Sequence, residues 1–143
     1  MDKNILVQYC ELKKEVKDIR ERITKTEREI ESLTVVADSV KGTRQDGTYG
    51  SIRISGYPIP EHDRRIGLLR KYAIQLRAAE EKLLTLTTQT EEFVQAIADS
   101  RKRRVFRLYY IDGLNWYQVA RRMNEGLMAD AYRMIHDRYL EKF

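Results

Sequence analysis

The sequence YYIDGLNWYQVARRM, residues 109–123, predicts a sharp corner between two short helices. The acid-glycine-leucine triplet at 112–114 marks the corner, because glycine interrupts helical patterns. Asn115 is suited to cap the helix that follows, and Gln118 stands where a capping box needs Glu or Gln. Local chemistry therefore specifies the start of the second helix well.

The residues on either side of this corner predict three short helices, each of about ten to fifteen residues. Asp99 and Ser100 have N-cap chemistry and open the first helix. The apolar face of the second helix contains Trp116, Val119, Ala120 and Met123. Arg121 and Arg122 lie off that face. The last helix is expected to bury Ala131, Met134, Ile135 and Leu140, and to expose Tyr132, Arg133, His136 and Asp137.

Two longer segments carry heptad patterns of apolar residues, one from Ile5 to Ala37 and the other from Leu69 to Ile97. Each pattern has one polar exception, Thr26 in the first and Thr90 in the second. Helices of this length would measure roughly 50 Å. The two apolar stripes must be buried against each other or against a second copy of the chain. Matched lengths favour an antiparallel hairpin, with a homo-oligomeric coiled coil as the alternative.

The connector between the two heptad segments runs from about Asp38 to Glu61. It contains four of the seven glycines and both prolines, and is expected to interrupt both helices. Residues 49–57, YGSIRISGY, alternate apolar and polar side chains and predict one short strand. That strand would need a partner, either near Val40 or in another protomer. An ordered surface loop is the alternative.

The composition excludes several classes of protein. Cys10 is the only cysteine among the 143 residues, so neither an intramolecular disulfide nor a cysteine-based metal cage can form within one chain. No run is apolar enough to span a membrane, and no secretory leader is recognisable. We expect a protein of the bacterial cytoplasm that is not an enzyme and has no cofactor or bound metal.

The net charge of +5 is confined to the last third of the chain. Residues 100–143 contain ten basic and five acidic residues, whereas the two signs balance over the first 99. A confined basic excess is typical of proteins that bind nucleic acid, although a solvated surface would have the same composition. Two short helices with basic groups facing outward form the helix-turn-helix arrangement, whose second helix enters the DNA major groove.

The stretch RRVFRLYYIDGLNWYQVARRM, residues 103–123, resembles the fourth region of sigma-70-type RNA polymerase factors. Nearly the whole chain is similar to small phage-encoded sigma-like regulators of the ArpU-like and RinA-like type. The likeness includes Asp38-Ser39-Val40 with Gly42, an Asp-Ser-Arg junction at 99–101, and HDRYLEK at 136–142. The resemblance implies sequence-specific binding to double-stranded DNA and activation of phage late genes, with host RNA polymerase as a further partner.

The predicted DNA-binding residues combine phosphate contacts with base contacts. They are Arg101, Lys102, Arg103, Arg104, Arg121, Arg122, Tyr132, Arg133, His136 and Arg138. Glu125 and Asp130 depart from the family pattern at the turn, where acidic groups would repel phosphates. Asp130 is interpreted as the N-cap of the last helix.

These observations predict an all-α fold in two domains. Residues 1–98 would form a long antiparallel helical hairpin that mediates self-association as a homodimer or higher homo-oligomer, with the connector and its short β element at 38–61. Residues 99–143 would form the sigma-like helix-turn-helix domain. An oligomeric DNA-packaging adaptor of the small-terminase kind and a factor that acts mainly through polymerase contact are the alternative functions.

Overall fold

The computed structural model describes residues 3–42 and 59–143 of the chain. Every regular element in these two ranges is helical, which confirms the all-α prediction for the described residues. The helices are α1 (Asn4–Gly42), α2 (Ile59–Gln95), α3 (Ser100–Phe106), α4 (Trp116–Met123) and α5 (Ala129–Leu140). A π-helical turn, Arg107–Ile111, continues α3. The strand predicted at 49–57 lies outside the described residues.

The two long helices extend further into the predicted connector than the sequence indicated. Helix α1 passes Asp38 and ends at Gly42, and α2 already begins at Ile59. Pro60 is compatible with this start because a proline in the first helical turn replaces an amide that has no partner within the helix. The connector limits at 38 and 61 were therefore too wide.

The chain divides into two compact units, residues 15–79 and residues 1–14 with 80–143. The unit of residues 15–79 contains α1 from residue 15 onward and the first part of α2. Its buried residues include Val16, Ile19, Thr26 and Ala79, which are all predicted heptad positions. The Thr26 hydroxyl donates to the Arg22 carbonyl at 2.8 Å, so the polar exception in the first heptad pattern is satisfied by its own helix.

The other unit combines both ends of the chain. Leu6 and Tyr9 from α1 share a core with Phe93 from α2 and with Phe106 and Tyr110 from the C-terminal part. Phe93 and Phe106 bring their ring centroids to 6.4 Å. The predicted domain boundary at 98/99 thus falls within a single compact unit.

A second core lies between the three C-terminal helices. It consists of Val105, Leu108, Val119, Met123 and Tyr132. Trp116 and Ala120 pack against this core, as their place on the predicted apolar face of α4 indicated. Helix α4 has eight residues, fewer than predicted, because it ends where Asn124 adopts a left-handed backbone with φ of 53°.

Candidate nucleic-acid interface

The predicted caps position the helices of the C-terminal unit. The Asp99 carboxylate accepts hydrogen bonds from the backbone amides of Arg101 and Lys102, at 2.9 and 3.3 Å. These backbone hydrogen bonds lower the pKa of Asp99. Asn115 and Gln118 form the complete capping box, with both reciprocal hydrogen bonds at 2.9 Å. Both cap predictions are confirmed.

The corner before α4 closes as the sequence predicted. Gly113 takes a φ of +69°, a backbone conformation in which glycine has no steric penalty. The Leu114 amide donates to the Leu108 carbonyl at 3.1 Å and satisfies one of the last carbonyl groups of the π-helical turn. The Lys13 ammonium, from α1, donates to the Tyr110 backbone carbonyl at 3.4 Å, just before this corner.

The turn between α4 and α5 differs from the prediction. Asn124 and Gly126 both have positive φ, and the N-cap of α5 is Met128, whose side chain forms no capping hydrogen bond. Asp130 was wrongly interpreted as this cap. It lies inside the first turn of α5, where its carboxylate pairs with Arg133 at 3.6 Å. An acidic group in the first turn is favoured by the helix dipole.

The exposed face predicted for α5 was wrong for Tyr132 and His136. Tyr132 is 0% exposed and His136 is 9% exposed. Met134, predicted to be buried, is 46% exposed. The helix therefore turns a different face toward the core than its aliphatic residues indicated, and neither Tyr132 nor His136 is at the surface to contact a base.

The buried Tyr132 has a hydrogen-bond partner for its hydroxyl. It donates to the Glu125 carboxylate at 2.8 Å, and the same carboxylate accepts from Nε of Arg101 at 2.9 Å. These hydrogen bonds, led by that of Arg101, lower the pKa of Glu125, while burial raises the pKa of Tyr132. Glu125 is thus an ion-paired structural residue and not the bare charge that the sequence indicated.

His136 is held in an aromatic cluster. The rings of Phe106, Tyr109, Tyr110 and Trp116 surround it at centroid distances between 5.0 and 5.6 Å. Its Nδ1 lies 2.9 Å from an Asp137 carboxylate oxygen, and its Nε2 lies 2.6 Å from the Tyr110 hydroxyl. A carboxylate can only accept, so Nδ1 carries the hydrogen and Nε2 accepts from Tyr110. Burial lowers the pKa of His136 and raises that of Tyr110.

Three of the predicted phosphate-binding residues have contacts within the protein. Arg101 is paired with Glu125, as described above. Arg103 donates to the carbonyls of Ile97 and Ala98, at 3.0 and 3.3 Å, and so caps the end of the preceding segment. The Lys102 ammonium lies 5.9 Å from the centre of the Tyr139 ring. These side chains contribute to the fold in addition to any contact with DNA.

The remaining predicted arginines face solvent. In the described part of the chain, no side-chain hydrogen bond or ion pair is formed by Arg104, Arg121, Arg122 or Arg138. Arg133 is also exposed and contacts only Asp130. Arg121 and Arg122 belong to the last turn of α4, where cations are favoured by the helix dipole. Five of the predicted side chains are therefore exposed and form no hydrogen bond or ion pair with another element of the described chain.

A groove at the turn carries residues that the sequence analysis missed. It encloses about 570 Å³ and is lined on the α4 side by Tyr117 and Arg121, and on the turn side by Leu127, Met128 and Asp130. Tyr117 is 76% exposed and Met128 is 80% exposed.

The sequence did contain a signal for the buried face of α5. Tyr132, His136 and Tyr139 are spaced so that they form an aromatic stripe opposite Met134.

No group of three or more His, Cys, Asp or Glu side chains within 3–42 and 59–143 is arranged to hold a metal ion. None of the helices in the same ranges is long and apolar enough to cross a membrane. Cys10 is half-buried beside the first core, and this burial raises the pKa of its thiol. Comparisons with protein-family models, with curated proteins and with solved structures found no match to this chain.

Proposed function

We propose that the protein is a sequence-specific DNA-binding transcriptional regulator, in which α4, the turn at 124–128 and α5 act as a helix-turn-helix. Helix α5 would enter the major groove, and α4 would cross the phosphate backbone. The observation that carries this proposal is the set of exposed arginines on α4 and α5. Arg121 and Arg122 extend from the end of α4, and Arg133 and Arg138 from α5.

The hydrogen bonds at this corner favour a rigid reading unit. The capping box at Asn115 fixes the start of α4, and Tyr132 ties α5 to the turn through Glu125. Because Arg101 neutralises Glu125, the acidic residue at the turn does not oppose an approaching phosphate to the extent that the sequence indicated. Among the predicted phosphate contacts, Arg121 and Arg122 are the ones proposed here as the principal contacts, because their side chains are exposed and unpaired in the described chain.

The long helices are proposed to form the antiparallel hairpin. The Glu29 carboxylate pairs with Arg65 near the start of α2, and Leu6 shares a core with Phe93 near its end. These two contacts, each within its own compact unit, support opposite helix directions. We propose that this hairpin also carries self-association, which would place two reading units on one DNA molecule.

The resemblance to sigma-like phage regulators supports a role at promoters, with host RNA polymerase as the partner. Run-off transcription from a promoter that carries a selected site tests this role. We expect a dimer of this protein to stimulate run-off transcription by the host polymerase. A ring-sized assembly in light scattering, together with no effect on transcription, would favour the DNA-packaging alternative.

DNA binding itself is tested with the full chain and a pool of random DNA duplexes. Repeated selection should yield a preferred sequence, and fluorescence anisotropy should show affinity falling steeply as salt increases, because counterions are released from neutralised phosphates. Arg121→Gln and Arg122→Gln should each weaken binding to selected and unselected duplexes alike and reduce the salt slope by about 1. Arg133→Gln should instead reduce the preference for the selected sequence.

Arg77→Gln is the matched control, because it removes the same charge from an exposed position on α2. It should leave both affinity and salt slope unchanged. Failure of the pool to yield any preferred sequence would overturn the proposal. Equal losses for Arg77→Gln and Arg121→Gln would show that net charge, and not the corner, determines binding, and would overturn it as well.

A further inference from the structure

Two methionines lie exposed where the proposed reading helix begins. Met128 is 80% exposed at the N-cap of α5, and Met134 is exposed one and a half turns further along. Exposed single apolar residues are common on protein surfaces. Here, however, Met128 lies in the same groove as Tyr117 and Leu127, which are also exposed. The N-terminal half of α5 therefore has an unusually apolar outer surface for a helix in a basic unit.

Asp130 lies close to each of the two methionines. It lines the groove together with Met128, and Met134 follows it by four residues, which is one helical turn on the same side. The buried residues Tyr132 and His136 lie on the opposite side of the helix. Asp130 and Met134 consequently lie on the outward side of α5, and Met128 is exposed at its N-terminal end.

Positive charge lies near each of the two methionines. Arg121 lines the groove beside Met128, and Arg138 follows Met134 by one turn. The charge of Asp130 is compensated by Arg133 at 3.6 Å. Exposed apolar side chains beside arginines are complementary to a polyanion that offers apolar groups between its phosphates. In the major groove of DNA, the C5-methyl group of thymine is the apolar group that the bases present.

We propose that Met128 and Met134 read thymine by packing against its C5-methyl groups in the major groove. This inference rests on the proposed DNA-binding function and specifies which feature of the DNA is read. The flexible thioether side chain suits such a contact because it adapts to the position of a methyl group without needing a hydrogen-bonding partner. The preferred site should therefore contain thymines at the positions that α5 contacts.

The experiment compares thymine with uracil, which lacks only the C5-methyl group. A duplex selected from the random pool by the full chain is synthesised with deoxyuridine in place of thymidine, one position at a time. At each contacted position, uracil should weaken binding about fourfold, the effect of one buried methyl group. Met134→Ala and Met128→Ala should each abolish this discrimination at one position, and Met134→Leu should retain it.

Leu84→Ala is the control, since Leu84 is similarly exposed but lies on α2. This variant should keep the full thymine-to-uracil ratio, and urea unfolding should confirm that all variants are as stable as the parent chain. Equal binding of thymine and uracil duplexes with sequence preference intact would overturn the inference and leave DNA binding standing. Persistence of the ratio in both methionine-to-alanine variants would also overturn it. No preferred duplex at all would overturn the proposed function together with this inference.

Discussion

The hydrogen bond between the Tyr110 hydroxyl and Nε2 of His136 leads to a quantitative prediction. Both side chains are buried and their polar atoms are 2.6 Å apart. Tyr110→Phe removes only the hydroxyl and retains the ring that packs against Phe106 and Tyr109. After this change Nε2 of His136 would remain buried with no hydrogen-bond donor. The ring hydrogen stays on Nδ1, because Nδ1 donates to the Asp137 carboxylate.

The expected loss follows from the asymmetry of buried hydrogen bonds. Leaving one partner buried and unsatisfied costs about 1–3 kcal/mol, more than the bond contributes when both partners are present. We therefore expect Tyr110→Phe to lower the free energy of unfolding by about 2 kcal/mol. For a chain of this length, that corresponds to a fall in the melting temperature of about 6 °C.

Urea unfolding followed by circular dichroism at pH 8 measures this loss. Tyr109→Phe is the matched control, because Tyr109 is the neighbouring tyrosine of the same cluster and its hydroxyl forms no hydrogen bond within the described residues. Its substitution should change the free energy of unfolding by less than about 0.5 kcal/mol. Equal effects of the two substitutions would refute the assignment of Tyr110 as the donor to His136.

Three further predictions concern stability. Burial lowers the pKa of His136 in the folded state. The contribution of neutral His136 to the free energy of unfolding is therefore fully present above the unfolded pKa near 6.5, and it is lost as the pH falls from there toward the folded pKa. Urea unfolding between pH 8 and pH 5 should show this loss of stability, and His136→Gln should abolish the pH dependence. The Thr90 hydroxyl is buried without a hydrogen bond to the described residues, so Thr90→Val should raise the free energy of unfolding by about 1 kcal/mol in the same assay, and a decrease would contradict this. Asn115→Ala should lower the melting temperature, with a loss of about 1 kcal/mol, because it breaks the capping box of α4; no change would mean that the cap is dispensable.

Features that depend on neighbours in sequence were predicted correctly. Asp99 and Asn115 cap their helices, and Gly113 turns the corner, because each of these roles requires only the backbone within three or four residues. The heptad positions Val16 and Ile19 are buried for a similar reason, since a repeating apolar stripe must leave water whatever its partner is. The short strand at 49–57 and the oligomeric state remain predictions.

The orientation of α5 about its own axis was not predictable in this way. Its aliphatic residues and its aromatic residues form two stripes on different sides of the helix, and both are apolar enough to be buried. The aromatic stripe is buried because Tyr132 and His136 find partners for their polar atoms in Glu125 and Tyr110. Tyr110 precedes His136 by 26 residues, so no local pattern could reveal that pairing.

The sequence by itself determined where α3 and α4 begin, that the chain is helical over its described residues, and that the basic excess lies near the C-terminus. Tertiary structure alone decided which of those charges remain available. Arg101 pairs with Glu125 and Arg103 donates to backbone carbonyls, whereas the Arg121 side chain has no hydrogen bond or ion pair within the described residues. The physical reason is that helix signals act within one turn, while the burial of a polar group and the pairing of a charge depend on groups that only folding brings together.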